Sequence, residues 1–458
     1  MTRVTACIAL MLLCVAAPHS SIAQGPSSID QMFEQELNQV LGKEISIEDE
    51  TRRTKTVEEL LSYLASPDEL VRYEAEQLLK KLARSQDLSR LLRALSDNSP
   101  RPESQVAIVN AIGALGDSIA LTSLKREYSY GKKEVQLAIL NALGNIKDDT
   151  IVSFLSEALQ NSKDDDLEQA AIRSLTKIGD ERAKYTLESS FSSMTAGPTK
   201  ITAQWALDGL KGKRDLARTD RDFFQGKPQV LFYKGMQYHY FRPTTLQRDE
   251  RNPWLIACIH GEDLRPDETF QTCLGLAKQY RVALVTPFFD PMTFPEYENL
   301  NIHGERADKR FFELVDFLAA ENGITAREIY FFGHGKGGEF VERLTLAYPE
   351  RIARSAFYTA KYMNLDPEVY YPFGLKTAPI AKDLRFDLNR IIKTDFAILV
   401  DPKVAAGKSY KTFYAQTLDF AESNEMSSRV RPRILSSSTM TLQKLWDEAA
   451  KYLFSTCS

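Results

Sequence analysis

Ile329-Tyr330-Phe331-Phe332-Gly333-His334-Gly335-Lys336-Gly337-Gly338-Glu339-Phe340 reads as a buried strand, a tight glycine turn and the opening of a helix. The apolar run of four is too short for a helix and is bounded by glycine. The segment from Glu339 to Tyr348 has helical spacing. A strand-to-helix corner of this kind belongs to a parallel sheet. Gly333 and Gly337 bracket position 335, with His334 and Lys336 between. Position 335 is itself glycine. A side chain held in a strained turn conformation costs about 1–3 kcal/mol, whereas glycine adopts positive φ freely. The turn is therefore kept and its strain relaxed.

Outward from this corner, residues 228–458 alternate strands with helices. Gln229-Val230-Leu231-Phe232-Tyr233 and Gln237-Tyr238-His239-Tyr240-Phe241 suit an antiparallel leading hairpin. Leu255 to Gly261, Arg281 to Thr286, Glu328 to Phe332, Arg354 to Tyr358 and Asp395 to Val400 are apolar runs of buried-strand type. Helical patterns run from Glu305 to Asn322 and from Leu442 to Phe454. This alternation predicts a doubly wound, mostly parallel sheet.

Three features carry a resemblance: the elbow, the His260-Gly261 pair closing the third strand, and Ala347-Tyr348-Pro349-Glu350-Arg351 after the elbow helix. Through them residues 228–458 resemble the α/β-hydrolase superfamily, near secreted esterases of the polyhydroxyalkanoate-depolymerase and feruloyl-esterase type. The family's elbow is Gly-x-Ser-x-Gly, so the resemblance puts the nucleophile position at Gly335. It assigns the oxyanion N–H groups to Gly261 or Glu262, and to Lys336. Backbone donors survive side-chain change, which leaves a pocket for a small carbonyl or carboxylate ligand. The family's acid would fall near Asp401, which beside Pro402 is either a relic of that acid or a turn residue. Its histidine would fall in Ile434 to Met440, which contains none, and no histidine follows His334. Nucleophile and base act as a unit, so the expectation is a hydrolase-like domain without hydrolase chemistry. The alternative is an active esterase with a rearranged site, using Ser437 or Ser438 and His303.

Upstream, the chain repeats itself. Leu79, Ile112, Leu143, Leu175 and Leu207 are spaced by 33, 31, 32 and 32 residues, and an apolar partner recurs three positions later as Leu82, Leu115, Ile146, Ile178 and Leu210. Each unit divides into two helical stretches, neither of which buries its apolar face alone, so the units must stack. Residues 55–212 resemble HEAT repeats, which implies an all-α solenoid, used either to hold a protein partner or to support its neighbour. Residues 213–227 form a charged linker; the run Lys211 to Asp222 reads as a solvated face.

Residues 1–23 read as a secretory signal: Arg3, an apolar stretch from Ile8 to Ala17, and Ser21-Ile22-Ala23 at a cleavage site. The apolar core is about half of the ~20 residues a membrane span needs. The mature chain is therefore expected from Gln24, secreted or periplasmic, with no membrane span, and residues 24–54 form a polar N-terminal arm. Past the signal remain Cys258, Cys273 and Cys457. Cys258 and Cys273 are either bridged or buried free thiols. A net charge of -4 on 458 residues, with 43% hydrophobic and 26% charged residues, points to no nucleic-acid partner. No zinc spacing occurs, and Ala406-Gly407-Lys408-Ser409 lacks the first glycine of a phosphate loop. No cofactor is implied.

Overall fold

The computed structural model describes residues 47–66, 69–96, 101–245, 254–301, 304–322, 329–359, 362–363, 366, 371, 374–377, 383–386, 388–391, 394–400, 430–435 and 441–455. The chain divides into two compact units, 1–99 and 100–458.

The first unit contains α1 (Ile47–Tyr63), α2 (Glu69–Leu82) and α3 (Leu88–Ser96). Val57, Leu60, Leu79 and Leu91 form its core. Arg53 is buried in an ion pair with Asp87 at 2.5 Å and also donates to the Leu82 carbonyl at 2.9 Å. The end of the polar arm, expected at 54, therefore falls inside α1. A buried charge must be paired to be tolerated, and the Arg53 partner lies two helices on.

The second unit opens with seven repeat helices: α4 (Pro102–Leu115), α5 (Leu121–Tyr130), α6 (Lys133–Leu143), α7 (Ile151–Asn161), α8 (Asp165–Ile178), α9 (Glu181–Ser193) and α10 (Pro198–Leu210). Helices α4, α6, α8 and α10 pack in succession as one layer, with α5, α7 and α9 on its other side. Leu79, Ile112, Leu143, Leu175 and Leu207 are all buried. Their partners divide: Leu82 and Ile146 are buried, whereas Leu115, Ile178 and Leu210 are half-buried. Within the second unit the spacing from Ile112 to Leu207 thus marks the line along which neighbouring repeats stack.

The sheet has eight strands: β1 (Gln229–Tyr233), β2 (Met236–Phe241), β3 (Leu255–Ile259), β4 (Ala283–Pro287), β5 (Ile329–His334), β6 (Ile352–Tyr358), β7 (Asp395–Val400) and β8 (Val430–Ile434). Their order is β1-β2-β4-β3-β5-β6-β7-β8. β2 runs antiparallel to both its neighbours, and the remaining pairs are parallel. This is the doubly wound order that the α/β-hydrolase resemblance implies, with the glycine turn after β5. Among the described residues the domain also holds α11 (Pro266–Tyr280), α12 (Ala307–Glu321), α13 (Lys336–Ala347), α14 (Leu388–Ile391) and α15 (Leu442–Leu453). Side chains alternate across a strand. Phe331 accordingly enters the core with Phe311 and Phe340 of α12 and α13, while Phe332 enters the opposite one with Phe270 of α11 and Trp446 of α15. The sheet is therefore doubly wound.

One strand lay outside the sequence pattern, one expectation changes in part and one pair of alternatives is decided. β8 carries no apolar run, and Pro432 removes a ladder donor; this is tolerated because β8 is the edge strand, paired to β7 alone. The connector Lys211 to Asp222 is exposed along most of its length, as expected, but two of its charges are engaged. Its Arg214 pairs with the buried Asp290 at 3.1 Å and lies over the Trp205 ring at 4.4 Å. Asp220 bonds Phe232 of β1 through both its amide (2.8 Å) and its carboxylate (3.0 Å), so the connector covers the other sheet edge. Finally, Cys258 on β3 and Cys273 on α11 are bridged, with Cα atoms 7.0 Å apart, and are not free thiols.

Candidate functional site

At the end of β5 the backbone turns through Gly335 at φ 54° and ψ −129° and enters α13 at Lys336. The turn is tight because α13 presses on the sheet. A Cβ at Gly337 would stand 2.3 Å from the His260 carbonyl oxygen and 2.5 Å from that of Ile259. Only glycine allows this approach.

His260 closes β3 fully buried. Its Nε2 accepts from the Phe289 amide at 3.2 Å. That leaves the proton on Nδ1, which donates to the Gly261 carbonyl at 2.8 Å. Burial lowers its pKa to about 4, so it is neutral and structural. The His334 ring lies against Gly261, its Cε1 2.8 Å from where a Cβ there would be. Burial holds His334 below the ordinary imidazole range, against the charges of Asp263, Glu262 and Glu268. Burial likewise pushes the Asp263 carboxyl up, opposed by His334. The His334 Nε2 lies 3.4 Å from the Thr269 hydroxyl, which itself donates to the Arg265 carbonyl at 3.2 Å. That hydroxyl spends its proton on the helix and is not set up as a nucleophile.

The space beside Gly335 is occupied by a carboxylate from elsewhere. Glu262 Oε2 accepts from the Lys336 amide at 3.1 Å. The same oxygen is 1.9 Å from where a Cβ on residue 335 would stand. Of the expected donors, Lys336 N–H thus already holds an internal carboxylate, while Gly261 and Glu262 lie in the loop after β3. The Lys336 ammonium is 3.3 Å from Glu298 Oε1. Burial opposes its charge, yet Glu298 and Asp166 hold its pKa above the ordinary lysine value, against Arg173. Arg173 and Asp166 belong to α8, so a repeat helix overlooks the elbow. Burial lowers the Arg173 pKa, opposed by Glu296, Asp166 and Glu298. Alongside, Trp205 of α10 packs on Phe288 at 4.9 Å.

In the sequence Glu262 stood out for its backbone and as one of several loop carboxylates, with nothing local to place its side chain beside Gly335; Arg173 and Glu298 carried no signal at all. Asp401, His303, Ser437 and Ser438 lie outside the described residues. Among the described residues no helix is long and apolar enough to cross a membrane, and no group of His, Cys, Asp or Glu is arranged to hold a metal ion.

Further along α13, Glu342 is buried and accepts from the Met363 amide with both oxygens, at 3.1 and 3.0 Å. Burial raises its pKa to about 8, opposed by Arg343 and the Met363 amide. In the unfolded chain the carboxyl titrates near 4.5. The folded state therefore holds the extra proton between these values, and stability falls as pH rises from about 4.5 through about 8. Glu342→Gln is expected to flatten this part of a melting-temperature profile against pH. An unchanged slope in the variant would assign the dependence to another group.

Residues 129–208 match a family model described as HEAT repeats. No curated protein matches the chain. Solved structures similar to part of it include poly(aspartic acid) hydrolase-1 from Sphingomonas sp. KT-1, at 17% identity, covering 51% of this chain and 100% of that one, with a TM-score of 0.42. A poly(3-hydroxybutyrate) depolymerase from Bordetella parapertussis is 13% identical over 49% of this chain and 89% of its own, with a TM-score of 0.40. An S-formylglutathione hydrolase from Staphylococcus aureus is 13% identical over 49% and 94%, at 0.34.

Proposed function

We propose that this chain is an exported, non-catalytic α/β-hydrolase-like protein that acts by binding. One observation carries the reading: at the nucleophile position the chain has Gly335, and the Glu262 carboxylate stands where a nucleophile's side chain would project. A serine hydrolase needs an activated hydroxyl at that point. The leader at residues 1–23 and the Cys258–Cys273 bridge support a secreted or periplasmic location. The elbow is the position for a small carbonyl or carboxylate ligand. The repeats offer a protein partner the α5, α7 and α9 side, where Tyr130 and Tyr185 are exposed.

Fluorophosphonate labelling of the purified mature protein, run beside a short-chain ester assay, tests this. Neither an adduct nor turnover is expected. Labelling accompanied by turnover would sink the reading in favour of a rearranged esterase, and mapping the adduct would say whether Ser437 or Ser438 is the displaced nucleophile.

A further inference from the structure

The occupant of the elbow identifies the chemistry the elbow receives. Glu262 is exposed, and among the described residues its hydrogen bond is the one to the Lys336 amide. An exposed glutamate loses rotamer freedom when held in one place. A backbone N–H at the start of a twelve-residue helix is a matching partner for its charge.

Two further groups around this position have bonding capacity left over. Glu298 uses Oε1 for the Lys336 ammonium, but its Oε2 is buried and accepts no hydrogen bond among the described residues. Arg173, half-buried on α8, makes neither a hydrogen bond nor an ion pair among them, although the charges of Glu296, Asp166 and Glu298 act on it. A buried oxygen left open in this way calls for a bound donor. Glu298 Oε2 requires that donor, and Arg173 has an unused guanidinium for an acceptor.

We propose that the elbow binds a small carboxylate, that Glu262 is its displaceable internal occupant, and that Lys336 together with Arg173 from the repeats receives the incoming charge. A hydroxyl on the same molecule would satisfy Glu298, which makes a small hydroxy acid the best-fitting ligand class. The inference rests on the non-catalytic reading of the elbow. An internal ligand competes at high effective concentration, so the native protein binds weakly and removal of Glu262 unmasks the site.

Titration calorimetry of the mature full-length chain with propionate, lactate and propionamide tests this. Glu262→Ala is expected to bind propionate about tenfold more tightly than the wild type, the range of one charge-assisted contact. Lactate should bind more tightly still, and uncharged propionamide not at all. Adding Arg173→Gln to Glu262→Ala should return most of that gain. Because Glu262 is exposed and makes one hydrogen bond, its variant should stay folded without ligand and melt only slightly below the wild type. Propionate binding no tighter in Glu262→Ala than in the wild type, or propionamide binding equally well, overturns the proposal. If the wild type also takes no fluorophosphonate, that failure is of this inference alone. A wild type that labels and turns over ester would instead remove the reading beneath it.

Discussion

Gly337→Ala is expected to destabilise the sheet-containing unit by about 3 kcal/mol, the upper part of the range for forcing a group into a packed interior. Its Cβ would meet the carbonyl oxygens of His260 and Ile259 at 2.3 and 2.5 Å. Both are backbone atoms at the end of β3, and Ile259 is paired there with Gly333 of β5. No side-chain rotation relieves the contact; α13 must lift or the ladder must open. Gly275→Ala is the matched control. It lies within α11 with nothing inside 4 Å of its Cβ, so alanine there should stabilise by about 0.5–1 kcal/mol. Urea unfolding followed by tryptophan fluorescence reads the difference, because Trp205, Trp254 and Trp446 all belong to the second unit. Equal midpoints for the two variants would mean that the helix is not seated on the sheet as described.

Arg214→Ala should cost a similar amount at neutral pH, again about 3 kcal/mol, since removing one partner strands a buried charge. Asp290 is 2% exposed and would lose its cation. Burial already pushes the Asp290 carboxyl up, and Arg214 opposes that. Without the arginine the folded protein takes up a proton more readily, so the loss should shrink as pH falls and grow as it rises. Combining Arg214→Met with Asp290→Asn removes both charges while keeping a long side chain over Trp205. The double variant should recover to within about 1 kcal/mol of the wild type, as replaced buried pairs commonly do. A double variant as unstable as Arg214→Ala would show that packing on Trp205, and not charge, joins the connector to the sheet.

Much of the fold was legible because it rests on local periodicity. The stretch from Ile329 to Phe340 announced strand, turn and helix, and six further strands were marked by apolar runs or by the leading hairpin. β8 was not, because an edge strand needs hydrogen bonds to one neighbour only and tolerates Pro432. The buried repeat line of the second unit, from Ile112 to Leu207, was visible as a spacing. The roles of Arg214 and Asp220 were not, since a charge run looks the same whether its partners are water or a buried aspartate 76 residues away.

At the site, the residue type at position 335 alone established that the elbow residue carries no hydroxyl, and the sequence has no histidine after His334. Those are properties of single positions, and a sequence states them outright. That Glu262 fills the space left by the missing side chain, that Cys258 reaches Cys273, and that Arg173 of a repeat overlooks Lys336 were decided only by tertiary structure. Each depends on where a side chain lands once distant segments pack, and no local pattern encodes a distance across the fold.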